Sequence, residues 1–150
     1  MIDADAARAA AEQRRTVASR TQPDWAAART GEPQLVHTID GHPSYWVCPI
    51  IDSGVLRGFV RVTADGKVAA HGTFGGAPTV VTGITADQAA EAARTWAPTG
   101  AQIGTPLYVH DGPPGREAWR VDIHEGDTTT VLMVGPGGAY EWAPRDPTLE

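Results

Sequence analysis

Strand-like alternation of apolar and polar positions occupies most of the chain and returns in two blocks. In the first it covers residues 33–39, 44–51, 55–63 and 67–72; in the second, 104–110, 116–124, 128–134 and a short stretch near 139–142. A period of two predicts strands with one face buried. The breaks between them, Asp65-Gly66, Asp111-Gly112-Pro113-Pro114-Gly115, Glu125-Gly126-Asp127 and Gly135-Pro136-Gly137-Gly138, carry turn residues, as expected of hairpins. Helical spacing occurs ahead of each block. One helix is predicted from about residue 3. The other is marked by Ala86, Ala89, Ala90, Ala93 and Ala97, with Trp96 beside them. Thr85-Ala86-Asp87-Gln88 opens the second helix as a capping box, and Pro98 and Gly100 end it.

The two blocks resemble each other residue by residue. Gly31-Glu32-Pro33-Gln34-Leu35-Val36-His37 recurs 73 positions later as Gly104-Thr105-Pro106-Leu107-Tyr108-Val109-His110, and the same shift lays Trp46 on Trp119 and Ile50 on Ile123. Phe59-Val60-Arg61-Val62 falls on Val131-Leu132-Met133-Val134, and Ile2 falls on Ile84. One supersecondary unit used twice is the simplest source of such a pattern. The expected organisation is therefore repeat 1 over 1–72, a linker at 73–83, repeat 2 over 84–143 and a polar tail from 144 to 150. Repeat 1 carries extra chain between its helix and first strand, residues 14–30, predicted to lengthen the helix and add a short second one after Pro23. The fold class is α+β: two tandem helix-plus-antiparallel-sheet repeats packed pseudo-symmetrically into one body, because units of this size are marginal alone.

Alternation also assigns faces. Trp46, Cys48 and Ile50 match Trp119, Val121 and Ile123, and both sets are apolar, so each is expected beneath its helix, with Val60, Val62, Leu132 and Val134 beside them. On the opposite side, repeat 2 carries Ala118, Arg120, Asp122 and His124, whereas repeat 1 carries Tyr45, Val47, Pro49 and Ile51 next to Phe59. An exposed apolar sheet face is either a partner surface or the seam between the repeats. The seam is the favoured reading.

Composition narrows the function classes. A net charge of −6 and the lack of a basic cluster interleaved with aromatics argue against nucleic acid as a partner, since phosphate contacts dominate that affinity. Cys48 is the only cysteine and excludes an intrachain disulfide. No run approaches the length of a membrane span, and residues 1–5 show neither a basic n-region nor an apolar h-region, so a cytoplasmic location is expected. No cofactor and no metal are expected: the phosphate-binding, nucleophile-elbow and zinc motifs are missing.

The hairpin Tyr45-Trp46-Val47 … Val60-Arg61-Val62-Thr63-Ala64-Asp65-Gly66-Lys67-Val68, repeated as Ala118-Trp119-Arg120-Val121 … Leu132-Met133-Val134-Gly135-Pro136-Gly137-Gly138-Ala139-Tyr140, resembles the PepSY-like family over most of both copies. Repeat 1 is also similar to small bacterial immunity proteins, in its Trp46-Val47-Cys48 strand and the Val60-to-Val68 ending. The resemblance implies non-enzymatic inhibitors and binding modules, often in tandem, and supplies no catalytic residues.

Several side chains invite a chemical role. His37 and His110 occupy matched positions and could bind a metal or move protons; equally, each could end a strand with its ring bonded to backbone. Arg120, Asp122 and His124 form an i, i+2, i+4 row in which Asp122 could orient His124 as a base while Arg120 holds an anion. With Tyr45 they are the residues of an enzyme reading, a small cyclase, isomerase or small-molecule binder with a cleft between the repeats. Cys48 shares the phase of the core residues and is expected to be inert. Trp25 and Trp142, outside the matched set, are candidates for a contact surface, as is Phe59; equally, each tryptophan could simply close over an exposed helix or sheet edge. The expected function is recognition of another protein or peptide through a sheet face or edge strand, the acidic charge favouring a basic partner. A homodimer around Phe59 and Ile51 is a third possibility.

Overall fold

The computed structural model describes residues 1–74, 78–113 and 115–144; the tail at 145–150 and part of the 73–83 linker lie outside them. Each helix begins where its sequence provides a cap. The Asp3 carboxylate accepts from the Ala6 amide at 2.8 Å and starts α1 (Ala4–Ala18). Thr85 and Gln88 form the expected reciprocal capping box of α2 (Ala86–Trp96), at 3.1 and 2.8 Å. Capping of this kind stabilises a helix start by about 1 kcal/mol. Residues 14–30 do not simply extend the helix. After Ala18 the chain turns through a short 3-10 segment, Pro23–Trp25, into a two-residue strand, β1 (Arg29–Thr30).

The remaining strands are β2 (Gln34–His37), β3 (Pro43–Asp52), β4 (Val55–Thr63), β5 (Val68–Thr73), β6 (Gln102–Ile103), β7 (Leu107–His110), β8 (Glu117–Glu125), β9 (Thr128–Gly135) and β10 (Gly138–Glu141). All belong to one sheet with the order β10-β9-β8-β7-β2-β3-β4-β5. β1 pairs with β3 upstream of β2, and β6 with β8 upstream of β7. Each pair is thus one edge interrupted, by Gly31-Glu32-Pro33 in one case and Gly104-Thr105-Pro106 in the other. Proline lacks the N–H that would continue the ladder. β3 and β4 meet in a two-residue hairpin at Ser53-Gly54, both with positive φ (52° and 77°), the backbone a tight turn between right-twisted strands demands. Every pairing is antiparallel except that of β2 with β7, where His37 lies opposite Val109.

The helices lie on opposite faces. On one, Ala7, Ala11 and Ala18 of α1 pack on Cys48, Ile50, Val60 and Val62, with Trp46 at the margin. On the other, Ala89 and Ala93 of α2 pack on Trp119, Val121, Ile123, Leu132 and Val134. Tyr45 and Val47, which alternate with Cys48 along β3, point to the α2 side and are buried in that second cluster with Val36 and Tyr108. The apolar outer face of the first half is therefore covered from within the chain. A smaller cluster of Val109, Ala118 and Met133, with Trp142 over it, fills the α1 side of the second half. Two anchors fix helix to sheet: the Trp46 indole donates to the Ile2 carbonyl at 3.2 Å, and the Trp119 indole to the Ile84 carbonyl at 2.9 Å.

Trp25, expected at a contact surface, is only 1% exposed and belongs to the α1 cluster. The short 3-10 segment returns it over the sheet, where its ring meets His71 edge-on at 5.6 Å. Gly58 makes this possible. A Cβ on Gly58 would lie 2.4 Å from the Gly72 carbonyl oxygen and 2.5 Å from the Trp25 ring. Gly58→Ala should therefore cost about 1–3 kcal/mol or more by overpacking. At roughly 2–4 °C per kcal/mol for a chain of this size, a thermal melt should fall by several degrees; an unchanged Tm would show that Trp25 is not held against the backbone.

Candidate functional site

The four residues of the enzyme reading do not converge. Arg120 and Asp122 are neighbours on β8, but they satisfy each other: Nε to Oδ1 at 2.8 Å and Nη2 to Oδ2 at 3.2 Å. Arg120 Nη1 also donates to the Ile39 carbonyl. His124 is exposed and bonds through Nδ1 to Thr129 Oγ1 at 2.9 Å, so Asp122 does not orient its ring. These groups line an open depression with Asp40, Gly41 and Thr105. Tyr45 lies on the other face of the sheet, in the α2 cluster.

Tyr45 instead belongs to a polar group spanning the joint between the halves, which the sequence did not single out. Glu117 at the start of β8 accepts from Arg61 of β4 at 2.9 Å (Nε to Oε1) and 3.1 Å (Nη2 to Oε2), and from the Tyr45 hydroxyl at 2.8 Å. The Arg61 guanidinium lies 4.5 Å from the centre of the Phe59 ring, a cation–π arrangement. The pair is largely desolvated, with 19% of the Arg61 and 9% of the Glu117 side chain accessible. Burial disfavours the Arg61 charge, but the Glu117 hydrogen bonds and negative charge outweigh it and hold its pKa above the usual value. Burial, and then the Glu117 carboxylate, raises the Tyr45 pKa and keeps the phenol a neutral donor. Phe59 itself is half-buried, 5.5 Å from Phe74, and is part of this packing rather than an outward-facing contact.

The paired histidines serve the same joint. His37 Nδ1 bonds to the Tyr108 carbonyl at 3.2 Å. His110 bonds through Nδ1 to the Gly112 carbonyl at 2.8 Å and through Nε2 to Ser44 Oγ at 3.0 Å. In the tautomer that carries its hydrogen on Nδ1, that nitrogen donates to the Gly112 carbonyl and Nε2 accepts from the serine hydroxyl. Among the described residues, no group of three or more His, Cys, Asp or Glu is arranged to hold a metal. Cys48 is buried, with Sγ 3.7 Å from the Ala7 carbonyl, and desolvation pushes its thiol up to about 12. No helix among the described residues is long and apolar enough to cross a membrane.

Surface remains at the two ends of the sheet. Among the described residues, β5 and β10 each pair on one side only. β5 offers Ala69, Ala70, His71 and Thr73 exposed, with no lysine, acidic residue or proline among its six residues. β10 is shorter, four exposed residues ending in Glu141. Trp142, after β10, is half-buried against the Met133 cluster, and its indole donates to Asp111 at 3.2 Å. No protein-family model, curated protein or solved structure matches this chain.

Two measurements check this geometry. Glu117→Ala leaves Arg61 buried and unpaired and should cost about 3–5 kcal/mol in urea unfolding, whereas an Arg61→Met/Glu117→Leu double variant should cost much less; equal losses would mean that the pair is not desolvated. Native protein at pH 8 should leave Cys48 unlabelled by Ellman's reagent, with one thiol appearing on unfolding. Rapid labelling of the native form would place the thiol at the surface.

Proposed function

We propose that this chain is a non-enzymatic recognition module that binds a protein or peptide by taking a strand of its partner onto the free edge of β5. One observation carries this: β5 is an exposed edge whose six residues, Val68–Thr73, include no lysine, acidic residue or proline, the nearest charge being Lys67 just before it. An unpaired row of N–H and C=O groups offers main-chain hydrogen bonds to any extended segment, and alternate side chains then supply selectivity. The small Ala69 and Ala70 leave room for an incoming backbone, and the net charge of −6 favours a basic partner. The enzyme reading receives no support from Arg120, Asp122, His124 and Tyr45, which are split between the two faces.

The same proposal holds that the halves are copies of one α-β-β-β-β unit of PepSY-like type. Supporting it are the matched Trp46–Ile2 and Trp119–Ile84 hydrogen bonds, the interrupted edges before Pro33 and Pro106, and a strand order that runs outward from β2 in one half and from β7 in the other. An inhibitor-like or immunity-like role suits such a rigid, preformed edge.

The test is affinity capture from the source organism's lysate, followed by hydrogen exchange on the captured complex. Wild type and Trp142→Ala should retain the partner, whereas Ala70→Lys, which places a charge on the edge, should weaken it at least about tenfold. Amides of residues 69–73 should gain protection on binding. Equal capture by Ala70→Lys with no protection of β5 would end the edge-strand reading.

A further inference from the structure

At the far end of the sheet from β5 lies a groove of about 540 Å³, lined by Asp111, Pro113, Arg116, Tyr140, Glu141 and Trp142. Its chemistry is specific. One cation and two aromatic side chains adjoin the carboxylate of Asp111, which is fixed in place by uncharged donors: the Trp142 indole N–H to Oδ1 at 3.2 Å and the Tyr140 hydroxyl to Oδ2 at 3.3 Å. The Asp111 amide, bonded to the Arg116 carbonyl at 2.9 Å, ties the same turn together. The Asp111 side chain is only 26% accessible, so its charge is concentrated at the mouth of the groove.

The cation is Arg116. Its Nη2 lies 3.5 Å from Asp111 Oδ2, yet 58% of its side chain is accessible to solvent. An exposed ion pair at that distance is worth at most about 1 kcal/mol. The groove thus carries on its lining a guanidinium that Asp111 holds only weakly. A planar guanidinium can pair with a carboxylate through two N–H groups and stack on an aromatic ring, which an ammonium cannot do in the same way.

We infer that this groove is a binding site for an arginine side chain presented by another protein or peptide, with Arg116 as the internal group that it displaces. Asp111 is the charge partner, Tyr140 and Trp142 hold that carboxylate and flank the incoming side chain, and Glu141 adds a second negative charge at the rim. The site is independent of the β5 edge, so either can fail while the other stands.

The probe is Nα-acetyl-arginine methylamide, with the uncharged citrulline analogue as control, titrated to about 20 mM, a range suited to a single-side-chain contact. The readout is the Trp142 indole N–H resonance of ¹⁵N-labelled protein, assigned with Trp142→Phe. The arginine probe should shift this resonance saturably and the citrulline probe should not. Arg116→Gln should tighten binding about three- to fivefold, the value of an exposed pair released. Asp111→Asn should abolish it. Because that variant also alters the Tyr140 and Trp142 hydrogen bonds, Glu141→Gln serves as a second variant at an exposed position and should weaken binding about two- to threefold. No saturable shift in either wild type or Arg116→Gln, or the same shift with citrulline, would overturn the assignment.

Discussion

The buried pair of Arg61 and Glu117 is the constraint around which the two halves are joined. Backbone hydrogen bonding contributes little there, because β2 and β7 are short and meet in parallel at His37 and Val109. Side chains complete the joint on both faces. On the α2 side, Arg61 and Tyr45 converge on Glu117, and Ser44 meets His110; on the α1 side, Arg120 reaches the Ile39 carbonyl. A desolvated carboxylate is tolerable only with its donors in place. Glu117 therefore fixes where β8 starts relative to β4, and with it the registry of the α2 cluster against Tyr45 and Val47.

That arrangement explains why candidate chemistry does not gather. The polar groups an enzyme would use are consumed in joining the sheet: Tyr45 by Glu117, His37 and His110 by backbone carbonyls, Arg120 by Asp122. Among the described residues, backbone without a strand neighbour lies at the two ends of the sheet, along β5 and β10. The recognition role proposed above would use these rims, where unpaired backbone and accessible aromatic groups remain.

Much of this was legible in the chain itself. The long strands and both helices followed from period and capping, and the apolar outer face of Tyr45 and Val47 correctly implied cover from within. β1 and β6 were missed because two residues carry no period. Trp25 was misplaced because only the third dimension returns its segment over the sheet, although Gly58, a glycine within an otherwise strand-like run, was the available hint. Glu117 carries no signal of its own, being one acidic residue in the strand-like stretch 116–124. The signal that could have found it was Arg61, a lone cation on the phase of Phe59 in Phe59-Val60-Arg61-Val62, on the side already assigned to the joint. The association of Asp111 with Tyr140 and Trp142 needed the return of β10, which no local pattern encodes.

The strand order has a consequence for how the chain reaches this state. Nearly every ladder is made between segments adjacent in sequence, whereas the Tyr45–Glu117 and Arg61–Glu117 contacts span 72 and 56 residues. Contacts at short separation close quickly and those at long separation late. The amino-terminal half can thus assemble its hairpins while the rest is still being synthesised. Its Tyr45–Val47 face remains uncovered until β7 and β8 arrive. During that interval the face can be closed equally well by the second half of another chain, so the joint that gives the monomer its registry is also the place where two nascent copies would exchange halves.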